Sequence, residues 1–173
     1  GLNKDTYALQ VLGKILTEGK VSKLYKRIVD PGLATSLFMY DFPFKDCGMF
    51  ISYVFLTPQT DHSSVEEIVL KEYKQIIKEG IKQKDLNRAK AQINANVAFS
   101  RDGSYAVASA LNEAIAIGDW TFYSTFMDNI KKVSRKNTGQ WQWTLDKNGI
   151  EFTTLDELWK NKIIGSIGFF WLD

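Results

Sequence analysis

The chain has 173 residues, of which 45% are hydrophobic and 24% charged, with a formal net charge of +2 and a single cysteine. That size suits one ordinary domain with a real core, and the apolar content excludes an intrinsically disordered chain. The small net charge makes no case for nucleic acid, one cysteine excludes a disulfide within the chain, and no apolar run reaches the ~18 residues of a membrane span.

The first predicted element is a helix opening at Asn3 or Asp5, with Tyr7, Ala8, Val11, Leu12, Ile15 and Leu16 on one apolar face. Gly19 supplies a left-handed stop. Ser22 is expected to cap a shorter helix with Leu24, Tyr25, Ile28 and Val29 inward, ended by Pro31-Gly32. Residues 34–42 and 48–57 read as a β-hairpin. In its second strand Met49, Ile51, Tyr53 and Phe55 share one face and Phe50, Ser52, Val54 and Leu56 the other.

Helices follow. Ser63 with Glu66, and Ser64 with Glu67, form overlapping capping boxes before a stripe of Val65, Ile68, Val69, Tyr73, Ile76 and Ile77, stopped by Gly80. Asp85 is the expected cap of a long helix through Leu86, Ala89, Ile93 and Val97, with a break near Gly103 and a resumption to Gly118. Asp119 caps the last, whose inner side holds Tyr123, Phe126, Met127, Ile130 and Val133. Beyond Ser134 lie four of the five tryptophans, an Asn148-Gly149 hairpin signal, a Thr154–Glu157 capping box and a last apolar run, Ile163 to Leu172. Helices clustered around a hairpin, without strict β-α-β alternation, give an α+β fold: a two-layer sandwich of antiparallel sheet covered by helices.

The sequence contains no self-contained active-site motif. His62 is the one histidine, so H-x-x-E-H cannot be written and only a metal half-site with Asp61 and Glu66 remains, while Ser-His-Asp catalysis would have to use His62 and the sequence has no G-x-S-x-G elbow. A solvated residue at a helix start accounts for His62 better. Cys47, beside Gly48 at a strand start, reads as a small hydrophobe. Glu66-Glu67 and Asp156-Glu157 are explained by capping. Lys71, Lys74, Lys78, Lys82, Lys84, Arg88 and Lys90 are interleaved with acidic residues as on a solvated helix face, so no nucleic acid is expected.

One ordered set of segments resembles a known family. "DTYALQVLGKILTEGKVSKLYKRIVDPGLATS" is similar to the insulinase-type (pitrilysin, M16) zinc metallopeptidases, and the likeness continues through "GMFISYVFLTP", "IVLKEYKQIIKEGI", "KDLNRAKAQI" and "ALNEAIAIGDWTFYSTFMDNIKKVS". It implies that residues 1–134 are an inactive M16-like lobe of the α+β sandwich type. Residues 135–173 are then a divergent tail completing or extending the same domain. Leading strands normally precede such a domain's first helix, so the sheet is expected to be incomplete at the N-terminus, as in a fragment whose targeting signal lies upstream.

The resemblance further implies a non-catalytic lobe that closes a peptide-binding chamber around a substrate held by a zinc-bearing lobe. Cofactors are expected to be none on this chain, with zinc on the partner lobe. The implied partners are that zinc-bearing lobe, in the same precursor or a separate chain, an unfolded peptide, and a second copy of the chain. The parent would be a zinc metalloendopeptidase. Active relatives carry an Arg and a Tyr seven residues apart around the Gly32-Leu33-Ala34 segment; Ile28 and Thr35 stand there in this sequence. Ser22, Lys23, Tyr25, Gly32, Leu33 and Ala34 mark the candidate segment of the substrate lobe, with the Arg-Tyr role transferred to neither Arg27 nor Tyr25. A zinc-less structural or assembly subunit related to M16 core proteins is the alternative. Bacterial periplasm, cytoplasm and an organelle all remain compatible.

Overall fold

The structure, a computed structural model, describes residues 5–43 and 48–135. The readings placed on Cys47 and on 136–173 lie outside them. Helix α1 spans Asp5–Thr17, followed by a π-helical turn at Tyr25–Val29 and strands β1, Ala34–Pro43, and β2, Gly48–Leu56. Helices α2 (His62–Glu79), α3 (Gln83–Ser100), α4 (Ser104–Ile117) and α5 (Thr121–Lys132) complete the order. This is the α+β class expected: an antiparallel two-stranded sheet with helices over one face.

α1 forms because its apolar residues recur at helical spacing, and Val11, Ile15 and Leu16 are wholly buried. It meets β1 on one side and α3 and α5 on others. Gly19 turns the chain at a φ of 76°. The carbonyls left open at the helix end are met from α3: Arg88 Nη1 donates to Glu18 O at 3.1 Å and Nη2 to Ile15 O at 3.4 Å. Gly13 lets α1 approach the sheet. A Cβ there would meet Met39 Cβ at 3.5 Å and the Phe50 ring at 3.6 Å, which is ordinary contact. Gly13→Ala is therefore expected to stabilise by about 0.5–1 kcal/mol through helix propensity. Gly13→Leu, with no room for the added carbons, should lose about 1–3 kcal/mol. Paired thermal melts check both signs.

The second segment departs from the expected short helix. Ser22 caps nothing: it is fully buried and its hydroxyl has no hydrogen-bond partner. The chain instead takes i→i+5 bonds, Asp30 N to Tyr25 O at 3.0 Å and Leu33 N to Ile28 O at 2.9 Å. Leu24 and Ile28 reach the core; Tyr25 and Val29 are half-buried. Gly32, at a φ of 82°, releases the chain into β1.

The hairpin register pairs Leu37 with Val54, Phe38 with Tyr53, Met39 with Ser52 and Tyr40 with Ile51, so the alternation read for β2 holds. Leu37, Met39, Val54 and Leu56 pack on the core. Three helix starts differ from expectation. α2 is capped by Asp61, whose Oδ2 accepts from Ser64 N at 2.9 Å and Ser64 Oγ at 2.8 Å. That carboxylate outcompetes the Ser63 and Ser64 hydroxyls for the open backbone donors, so the helix begins at His62, and the bonds to Ser64 hold the Asp61 carboxyl below its usual range. α3 begins at Gln83 without a side-chain cap, leaving Asp85 in its first turn. The long helix does break and resume, ending α4 at Gly118 in the left-handed region. At α5 the N-cap position is Trp120, without a side-chain cap bond, and Asp119 one residue earlier accepts from Thr121 N through Oδ1 at 2.9 Å. On α2, Ile77 stays exposed while Glu72 is buried.

Candidate functional site

The six residues of the sequence-derived segment do not form an open site. Ser22 and Ala34 are buried, Tyr25 and Leu33 half-buried, and Gly32 exposed. Lys23 is committed to an ion pair. Its Nζ lies 2.7 Å from Oε1 of Glu72, and Arg27 Nε lies 2.9 Å from Oε2, an ion contact outside hydrogen-bond alignment. Arg27 also donates through Nη2 to Gln75 Oε1 at 3.1 Å. Glu72 is 1% exposed, so two cations, Lys23 just before the π-helical turn and Arg27 within it, neutralise one buried carboxylate of α2. The backbone around Gly32 and Leu33 is engaged as well. Thr57 Oγ1 donates to Gly32 O at 2.8 Å and Thr57 N to Leu33 O at 3.1 Å, fastening the start of β1 to the end of β2. Ile28 is buried and Thr35 exposed beside a register shift.

His62 is exposed, with Nδ1 3.9 Å from the Asp61 carboxylate. Among the described residues no group of three or more His, Cys, Asp or Glu side chains converges as a metal site would require.

The hairpin's outer face is the surface that the sequence reading passed over. Phe38, Tyr40, Phe42, Tyr53 and Phe55 stand on it. Phe38 packs on Tyr53 at 5.0 Å, on Tyr40 at 5.4 Å and on Phe55 at 5.6 Å between ring centroids, and Tyr40 packs on Phe42 at 5.8 Å. The rings nonetheless meet solvent, Tyr40 with 55% and Phe55 with 51% of its surface. The rings thus form one contiguous exposed patch rather than scattered single residues. Alternation in β2 pointed to it; which face the helices cover was the missing information.

The opposite face holds one titratable group of note. Asp41 stands opposite Phe50 and is half-buried, and burial pushes its carboxyl up to about 6 from 3.8. Between pH 3.8 and about 6 the folded chain holds a proton there that the unfolded chain has lost. Asp41's support for the fold is thus present at low pH and fades as pH rises through about 6. Asp41→Asn is expected to stabilise by about 1 kcal/mol at pH 7.5, a figure reduced for the group's partial exposure, and to be neutral at pH 4. Urea unfolding of both proteins at the two pH values isolates this group. Nearby, Tyr73 O–H bridges to Ser52 Oγ at 3.0 Å and Met39 Sδ at 3.7 Å, and burial raises its pKa against the Ser52 bond.

The family model described as the peptidase M16 inactive domain matches residues 2–93, more than half of the chain. No curated protein matches the sequence. Among solved structures, the inactive peptidase domain of a candidate zinc protease from Bordetella parapertussis is similar at 22% identity and a TM-score of 0.71, over 80% of this chain and 74% of that one. A protease from Helicobacter pylori is similar at 22% identity and a TM-score of 0.73, over 80% of this chain and 34% of that one. A chain of complex III2 from Candida albicans, with Inz-5 bound, is similar at 20% identity and a TM-score of 0.70, over 82% and 36%. At these identities the solved structures establish the fold. This chain spans about a third of the Helicobacter pylori and Candida albicans chains.

Proposed function

The chain belongs to the inactive-domain family of M16 peptidases, and from that membership we propose that it is the non-catalytic lobe of an insulinase-type zinc metallopeptidase. In this reading it closes a peptide-binding chamber around a substrate held by a zinc-bearing lobe, in the same precursor or a separate chain. The single observation that carries it is the family match over residues 2–93. The exposed ring surface of the hairpin supports it, since a lobe that closes on peptide needs an open contact face. Residues 1–134 would form the lobe, with 135–173 a tail belonging to the same domain. Zinc and the peptide-cleaving chemistry would reside on the partner.

The test is reconstitution. A zinc-bearing M16 lobe and this chain are assayed on a quenched fluorescent peptide, alone and mixed. Cleavage is expected from the mixture and from neither component alone. Cleavage by the zinc-bearing lobe that is unchanged by this chain would overturn the proposal. The second reading is a zinc-less assembly subunit, favoured by the fold shared with a chain of complex III2. A stable complex with the zinc-bearing lobe that cleaves nothing would select it.

A further inference from the structure

We propose that the outer face of the β1–β2 hairpin is a selective surface for extended, uncharged peptide segments that carry aromatic side chains at alternate positions. The inference rests on the lobe reading above and names the substrate class that the lobe would favour.

Three observations carry it. The first is spacing. Phe38, Tyr40 and Phe42 follow one another at every second residue of β1, and Tyr53 and Phe55 do the same on β2. Neighbouring rings along a strand are rooted roughly 6.7 Å apart, which is the i,i+2 repeat of an extended chain. A helix presents its side chains at i,i+3 and i,i+4 and does not match that row.

The second is charge. In a chain with 24% charged residues, the described side chains of this face are aromatic, aliphatic or hydroxyl, with Ser36 and Ile51 completing it. Asp41, the one charged residue of β1, stands on the opposite face with Met39. A glutamate laid against the rings would lose hydration and find no counter-ion, and a lysine would gain only the cation–π contact of an exposed ring, less than a further aromatic ring contributes by burial and ring packing together, so the face favours uncharged aromatic segments.

The third is preorganisation. The rings already rest on one another at tilted and edge-on angles, from 31° to 77°, so little rotamer freedom remains to be lost when a further ring docks. The tyrosine hydroxyls add hydrogen-bonding at the rim.

The experiment uses the full chain and three fluorescein-labelled peptides followed by anisotropy. One alternates Phe with Ser and Thr. One alternates Lys and Glu with Ser and Thr. The third has the first peptide's composition arranged as an amphipathic helix. The alternating-Phe peptide is expected to bind at least about tenfold tighter than either of the others. Tyr53→Thr/Phe55→Thr, two exposed positions changed to a good strand former, should erase that margin while leaving the melting temperature within a few degrees. Equal binding of all three peptides, or a preference for the helical one, overturns the proposal. So does a concentration-dependent dimer that the double variant dissolves while no peptide binds, because a second copy then covers the face. Cleavage of aromatic and charged peptides at equal rates with the zinc-bearing lobe would sink the selectivity and leave the lobe reading intact. Aromatic-peptide binding by a chain that never joins that lobe would do the reverse.

Discussion

Replacing Lys23 and Arg27 together by alanine is expected to cost about 3–5 kcal/mol of stability, because it strands a buried carboxylate. Glu72 is 1% exposed, and its two oxygens face Lys23 Nζ at 2.7 Å and Arg27 Nε at 2.9 Å. Either cation alone can still neutralise it, so each single variant should lose only about 1–2 kcal/mol. The reverse deletion is milder. Lys23 and Arg27 are partly exposed and can turn to water when Glu72 goes, so Glu72→Met, which fills the space with apolar atoms, is expected to be near neutral. Chemical denaturation of the four variants gives the ordering. A double variant no worse than Glu72→Met would show that the carboxylate is not held in the interior.

That triad also explains why this part of the chain reads poorly from sequence. The Lys23 and Glu72 side chains pair across 49 residues, and nothing local in "VSKLYKRIV" announces it. Local signals predicted a Ser22-capped helix; the distant carboxylate and the core contacts of Leu24 and Ile28 favour the wider π-helical turn instead. The same holds at α2, where helical spacing named Ile77 for the core and omitted Glu72. Position 77 faces solvent because Val65, Glu72 and Ile76 take the inward side of α2.

Elements governed by their own residues were legible. Gly19, Gly32, Gly80 and Gly118 all adopt positive φ where a stop was read, since each ends a turn that a side chain would strain. The period-2 pattern of β2 fixed which residues share a face, because a one-residue slip would reverse every side chain. It did not say which face the helices take. The aromatic surface is therefore present in the pattern but unassigned, whereas in Gly32-Leu33-Ala34 the first two carbonyls are occupied by Thr57. The family likeness survived these errors because it rests on the order of segments rather than on any one cap.

Ile15→Ala is the second large effect, expected to cost about 3–4 kcal/mol. Ile15 is wholly buried on α1, the helix that touches β1, α3 and α5 at once, so a void there has no single neighbour able to collapse into it. Against a total of about 5–15 kcal/mol for a domain of this kind, the loss is a large share. Val21→Ala, at an exposed site between α1 and the π-helical turn, should stay within about 0.5 kcal/mol and serves as the control. The two effects separate stability from recognition. Ile15 lies in the helical layer beneath the inner face of the hairpin, while the rings stand on the outer face. The folded fraction of Ile15→Ala should thus bind the alternating-Phe peptide with unchanged affinity at low temperature and lose it only as the protein melts. An affinity that falls well below the melting transition would mean that α1 and the Gly13–Met39 approach set the curvature of the hairpin, and with it the arrangement of the rings.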